Sequence, residues 1–283
     1  MTEYGGLPEP YNQREQARVA ILPVPYDGTS TWGKGADKGP EALLEASANM
    51  ELYDIETDSE VYRLGIFTDQ PVTESRNPEL MVQAVEQRTN ALLDEGKFVV
   101  TIGGEHSVSI GAIRAHAAHH DGLTVLQIDA HTDLRDSYEG SPNNHACVMA
   151  RAQELCPIVQ VGIRSMDIGE KANLDPQRVF WAHEIVDAPD DSWMSKALYL
   201  ISANVYITID LDGFDPAIAP STGTPEPGGL KWYPALRFLR KVIEHRNLVG
   251  FDIVELCPNP ADKATDFLAA KLLYKLLSYK FMH

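Results

Sequence analysis

Apolar runs of four to seven residues, rich in valine and isoleucine, recur along the chain at 18–24, 98–102, 123–128, 158–161, 205–209 and 248–254. Several are apolar at nearly every position instead of at alternate ones. A strand with one wet face alternates, whereas a strand covered on both faces does not, so these runs predict a parallel sheet buried between helices. Helical patterns fill the gaps at 40–50, 78–95, 107–119, 192–201, 234–245 and 261–279, with Pro40 and Pro78 suited to first turns and Asn77 placed before the second helix. Strand and helix alternate from end to end. That order predicts one α/β domain over residues 1–283, with a mostly parallel central sheet, helices on both faces and right-handed crossovers.

Composition narrows the function. Hydrophobic residues make up 44% and charged residues 23% of the 283, which is globular usage and excludes collagen-like or disordered chains. The formal net charge of −17 repels phosphate backbones and anionic lipid, arguing against nucleic-acid and membrane partners and for cationic ones. Cys147, Cys156 and Cys257 are odd in number and form no Cys-x-x-Cys pair, so a disulfide framework and a thiolate zinc site are both unsupported. The first ten residues lack a basic region and an apolar stretch, and no apolar run nears the roughly 20 residues that span a bilayer. The expectation is a cytoplasmic protein, neither exported nor membrane-bound.

Three strand-like runs end in acids and imidazoles. The run 123–128 is followed by Asp129-Ala130-His131-Thr132-Asp133, a spacing of two that puts three metal-capable side chains on one side of an extended chain. The run 205–209 is followed by Asp210-Leu211-Asp212-Gly213-Phe214-Asp215-Pro216, and 98–102 by Gly103-Gly104-Glu105-His106-Ser107. A lone Asp-x-Asp is commonly a solvated turn or a helix cap. Acids and imidazoles at three strand ends are a different matter, because crowded carboxylates that lose solvation need compensating positive charge. His106, Asp129, His131, Asp133, Asp210 and Asp212 suffice for two divalent ions about 3.5–4 Å apart, provided some aspartates bridge. Oxygen and nitrogen donors without thiolate suit manganese or another hard to borderline ion.

These segments resemble the arginase and agmatinase family of ureohydrolases, and the likeness extends through Val161-Gly162-Ile163-Arg164, Thr222-Gly223-Thr224-Pro225, Gly228-Gly229 and Asp252-Ile253-Val254-Glu255. The resemblance implies an arginase-like three-layer α/β/α fold around an eight-stranded parallel sheet, a centre of two Mn2+ ions, and hydrolysis of a guanidino compound to an amine and urea. It further implies that His106, Asp129, Asp133 and Asp210 hold one ion, that His131, Asp129, Asp210 and Asp212 hold the other, and that Asp129 and Asp210 bridge. Glu255 would hold the guanidinium, and His145 would relay protons. A homo-oligomer, trimer or hexamer, is implied as well.

The chemistry is consistent with that assignment. A guanidinium carbon is a poor electrophile, and water on a divalent ion loses a proton near neutrality instead of at about 15.7. A bridging hydroxide would attack, Glu255 would orient the planar cation by paired charge-assisted hydrogen bonds, and Asp212 or Asp215 would hold the proton destined for the leaving amine, with His145 delivering one from solvent.

Arginases carry an Asn two residues after the third ligand, where this chain has Arg135. The stretch from Asp133 to His145 looks like that of agmatinases, which favours agmatine as substrate, cleaved to putrescine and urea in polyamine biosynthesis. Asp136 and Glu139 are the candidates to meet its distal ammonium. Alternatives are a sister ureohydrolase acting on aminopropylagmatine, guanidinobutyrate or arginine, a binuclear metallophosphatase, and a non-catalytic relative. The glycine-rich residues 33–39 lack phosphate-loop spacing, and the resemblance implies that residues 25–40 form an entry loop near the active site. His116, His119 and His120 fall at a helix end, Cys147 reads as a structural thiol, and Trp232 and Tyr233 as packing or subunit contact.

Overall fold

The computed structural model describes residues 2–188 and 190–282. Eight strands, β1 (Val19–Val24), β2 (Ile66–Thr68), β3 (Phe98–Gly103), β4 (Leu123–Ile128), β5 (Ile158–Ile163), β6 (Val179–Trp181), β7 (Asn204–Asp210) and β8 (Asn247–Val254), form one sheet in the order β2-β1-β3-β8-β7-β4-β5-β6. Every neighbouring pair is parallel. Among the described residues the eight α-helices are α1 (Gly39–Ser47), α2 (Pro78–Asp94), α3 (Val108–His119), α4 (Val148–Gln153), α5 (Ala182–Ile185), α6 (Ser192–Leu200), α7 (Trp232–His245) and α8 (Ala264–Phe281).

Side-chain alternation along the strands sorts the apolar residues into two layers. In β1, Val19 and Ile21 join one cluster while Ala20, Leu22 and Val24 join the other. In β7, Val205, Ile207 and Ile209 face the first cluster and Tyr206 the second. The first layer is closed by α1, α5, α6, α7 and α8, the second by α2, α3 and α4. The result is the α/β/α sandwich expected from the uniformly apolar runs.

All six expected strands form, and two more flank them. β2 and β6 have three residues each and lie at the two sheet edges. Too short to carry a periodic signal, they also limit the unpaired edge that a parallel sheet would otherwise expose. All six expected helices form too, with shifted ends. α7 starts at Trp232, so Trp232 and Tyr233 occupy its first turn, the former packed about 6.3 Å from the Phe214 ring and the latter 70% exposed.

The strand order decides where the site lies. From β3 the chain passes through α3 to β4, leaving a gap that β7 and β8 later fill. The carboxyl ends of β3, β8, β7 and β4 are therefore adjacent in the centre of the sheet, beyond a change in winding direction, where ligands bind in open α/β sheets. Close approach at the β3 exit requires glycine, since a Cβ on Gly104 would lie 1.9 Å from the carbonyl oxygen of Tyr26.

Candidate metal centre

Each of those four strand ends contributes one part of a buried polar cluster. β3 runs into Glu105 and His106, β4 into Asp129, β7 ends on Asp210, and β8 is followed by Glu255. His106 Nδ1 lies 2.9 Å from Asp133 Oδ2, 3.2 Å from Asp129 Oδ2 and 3.6 Å from Asp210 Oδ2. His131 Nδ1 lies 3.0 Å from Asp212 Oδ2 and 3.6 Å from Asp129 Oδ1. Two donor groups result, His106 with Asp129 and Asp210, and His131 with Asp129 and Asp212. Asp129 turns a different oxygen to each, Oδ2 to His106 and Oδ1 to His131. Asp210 joins only the His106 group, and its Oδ1 accepts the Asp212 N–H at 2.9 Å.

Local structure fixes these side chains. Asp129 Oδ1 accepts the His131 N–H at 2.6 Å, its Oδ2 accepts from Gln127 Nε2 at 2.7 Å, and Gln127 is held by Gln160 at 2.6 Å. Asp212 Oδ1 accepts the Ala130 N–H at 3.0 Å. Asp133 sits at φ +52°, a left-handed conformation held because its carbonyl accepts the N–H groups of Met149 and Ala150 in α4. His106 Nε2 lies 2.9 Å from the Thr208 hydroxyl, which donates to Asp252 Oδ1 at 2.6 Å. That chain makes Nε2–H the donor and leaves Nδ1 as the free lone pair.

Electrostatics supply the test of fit. Burial, and then the charge of Asp129, push Asp133 up to about 7, while burial followed by Asp212 and Asp129 raises Asp210 well above the carboxylate range. Burial acts the same way on Asp129, but the adjacent His106 and His131 imidazoles outweigh it and hold this carboxyl low. Burial disfavours the charged imidazoles, yet their carboxylate partners raise His131 to about 12 and His106 well above its ordinary value. His106 Nδ1 is buried and, despite its short distances, makes no hydrogen bond. Buried oxygens and lone pairs that converge on shared points, not on one another, are arranged for cations. The six residues fit a pair of divalent ions.

Beside the cluster opens a cavity of about 290 Å³ lined by His106, His131, Asp133 and Asp210, with His145, Glu255, Arg135, Tyr138, Asp167 and Glu170 among the other wall residues. Glu255 has φ +64°, and its Oε1 accepts the His106 N–H at 2.8 Å. Burial and the neighbouring Glu105 carboxylate raise its carboxyl well above the usual range. His145 follows Asn144, whose side chain accepts from Ala146 N at 3.1 Å and starts the short turn that carries the ring. Burial, with the facing His106 and His131, lowers His145 to about 4.

The structure does not bring every candidate to this cavity. Asp136 is exposed with Oδ1 3.3 Å from Asn173 Nδ2, and Glu139 is exposed at a turn with φ +48°, so neither lines the wall. Asp215 braces a loop, its Oδ2 accepting the N–H groups of Gly228 and Gly229 at 3.1 and 3.0 Å. Besides Asp133, Asp210 and Glu255, the acids on the wall are Asp167 and Glu170, after β5, with Arg135 Nε 3.1 Å from Glu170 Oε1. Asp167 and Glu170 escape the sequence reading because they follow no strand-end acid pattern. Gln127, Thr208 and Asp252 do carry a signal, since each is a polar side chain inside an otherwise apolar run.

The remaining sequence features have structural roles. In the glycine-rich loop the Gly35 and Ala36 N–H groups already donate to Asp27 Oδ2, at 2.7 and 3.2 Å, so they cradle no phosphate. Cys147 is buried, and burial raises its thiol to about 11, which leaves no thiolate nucleophile at neutral pH.

The model of the arginase family matches residues 17–278, nearly the whole chain. The chain belongs to the arginase family. Among its relatives, the N(1)-aminopropylagmatine ureohydrolase of Synechocystis sp. is 43% identical over 93% of this chain and 89% of that protein. The N(1)-aminopropylagmatine ureohydrolase of Thermus thermophilus is 37% identical over 98% of this chain and 94% of that protein. The crystal structure of agmatine ureohydrolase of Thermoplasma volcanium superposes with a TM-score of 0.85 at 33% identity, covering 94% of this chain and 90% of that one. This member of the arginase family is thus a hydrolase of the ureohydrolase group, with a metal-ligating cluster of histidines and aspartates at the centre of its sheet.

Proposed function

We propose that the chain hydrolyses the guanidino group of aminopropylagmatine, releasing urea and the triamine spermidine as a step in polyamine biosynthesis, with agmatine as the poorer substrate and manganese as the resident metal. One observation carries this reading. The cavity lined by His106, His131, Asp133 and Asp210 is also walled by Glu255, Asp167 and Glu170, so carboxylates beyond the ligand cluster surround a space that suits a cation with more than one charge. Sequence alone favours agmatine; the names of the relatives at 43% and 37% identity support the longer amine.

His106, Asp129, Asp133 and Asp210 would hold one ion, and His131, Asp129 and Asp212 the other, with Asp210 the candidate second bridge. When bound, such ions supply a water whose pKa falls toward neutrality and positive charge beside the developing tetrahedral carbon. The oxygen and nitrogen donor set supports manganese. Glu255, with Oε1 taken by the His106 N–H, offers its second oxygen to the guanidinium and fixes the orientation of that plane. Asp212, anchored through Oδ1, turns Oδ2 toward His131 in the second donor group and would hold there the proton for the leaving amine. His145 is neutral at pH 7, so it accepts a proton before passing one on. Asp167 meets the distal ammonium.

The reading extends to the setting. The three free cysteines support a reducing cytoplasm, and among the described residues no helix is long and apolar enough to cross a membrane. Trp32, Ile55, Tyr199 and Tyr233 are large exposed apolar side chains that support a homo-oligomer, trimer or hexamer.

Urea release from a panel of guanidino compounds tests the substrate. Manganese-loaded protein is expected to prefer aminopropylagmatine, then agmatine, over guanidinobutyrate and arginine, and Asp167→Asn to raise KM more for the triamine precursor than for agmatine. A preference for arginine, or turnover of phosphate esters without urea, would overturn the proposal.

A further inference from the structure

Glu105 is fully buried beside His106 but belongs to neither donor group. Its Oε1 accepts from the hydroxyls of Ser107 and Thr29 at 2.8 and 2.9 Å and from the Thr29 N–H at 3.2 Å, and its Oε2 accepts the Ser107 N–H at 2.7 Å. Thr29 comes from the entry loop after β1, and its Oγ1 accepts the His145 N–H at 3.0 Å while lying 3.2 Å from His145 Nδ1. The hydroxyl has one proton to give. The carboxylate is the nearer and stronger acceptor, so the proton goes to Glu105 and the hydroxyl oxygen faces His145 Nδ1 as an acceptor.

From this geometry we infer that Glu105 and Thr29 are positioning residues that hold His145 as its Nδ1–H tautomer and turn the Nε2 lone pair to the cavity. The ring lines that cavity, and among the described residues Nε2 has no hydrogen-bond partner. Which ring nitrogen carries the proton is set by the bond the other makes, and a free imidazole side chain in water favours Nε2–H. Left to itself His145 would therefore present a donor where the reaction first needs an acceptor. With the pair in place, Nε2 takes a proton from solvent and gives that same proton to the amine nitrogen, while Nδ1–H never leaves Thr29. The inference rests on the proposed role of His145 as proton relay and adds what makes the ring fit for it.

The test is the ¹⁵N spectrum of histidine-labelled protein loaded with Mg²⁺, with His145 assigned by comparison with His145→Asn. Wild-type protein is expected to show Nδ1 protonated and Nε2 bare. Thr29→Val should shift the ring to Nε2–H and lower kcat about tenfold or more at a KM within about twofold, and Thr29→Ser should restore both. An Nε2–H ring in the wild type overturns the inference without any variant, which covers the case of a valine variant that does not fold. So does a valine variant that keeps both the wild-type tautomer and the wild-type kcat. Unchanged kcat in His145→Asn would remove the proton-relay reading while leaving the tautomer result standing, so the two failures are distinguishable.

Discussion

At the scale of single residues, the cluster of acids and imidazoles was legible because three acidic segments each begin where an apolar run stops, and strand ends are where side chains leave the core together. His106, Asp129, His131, Asp133, Asp210 and Asp212 converge as that pattern implies. The mouth was not legible. Asp136 and Glu139 share a loop with Asp133, but nearness in sequence says nothing of direction once the chain turns at Glu139, whereas Asp167 arrives from another strand end. Among these acids Glu255 has the most to lose. Glu255→Gln removes the charge from the hydrogen bond that its free oxygen would make to a cation, a bond worth roughly 1.5–3 kcal/mol, so kcat/KM should fall about ten- to a hundredfold while Glu139→Gln stays near wild type. Steady-state urea release from both variants checks this, and equal losses would contradict the placement of the two side chains.

Among the elements, the long, covered strands were readable and the short ones were not. β2, β6 and α4 have three, three and six residues, too few for a period to repeat, and tertiary contacts specify them. Helix α3 shows what a sequence pattern conceals. His116 looked like part of a charged helix end, yet its ring is buried against Tyr206 at 4.6 Å and over Gly250, where a Cβ would come within 2.2 Å of Nε2. Nδ1 donates to the Ala112 carbonyl at 2.8 Å. Burial, and then the nearby His120, lower this imidazole to about 4. The unfolded chain takes up the proton near pH 6.5 and the folded chain only near 4, so folding stability falls as pH drops through that window, by on the order of 3 kcal/mol. Urea unfolding between pH 7 and pH 4 should show a shallower pH slope for His116→Gln than for wild type. Parallel slopes would mean that His116 is not the group responsible.

For the whole molecule, charge and topology act together. The strand order brings four carboxyl ends to one place, and the net charge of −17 surrounds that place with a field attractive to polycations. Raising ionic strength from about 0.01 M to 0.15 M shortens the screening length from about 30 Å to 8 Å, so kcat/KM for aminopropylagmatine should fall several-fold while the value for zwitterionic guanidinobutyrate changes little. Equal salt sensitivity for the two would separate the acidic surface from substrate capture.

The architecture as a whole stands or falls on whether Asp129 joins two cation sites. Equilibrium dialysis against Mn²⁺ followed by elemental analysis measures this directly. Two ions per chain are expected for the wild type, and fewer than one for Asp129→Asn, because a single side chain serves both groups. A wild-type chain that retains none, or an Asp129→Asn chain that still retains two, would contradict it.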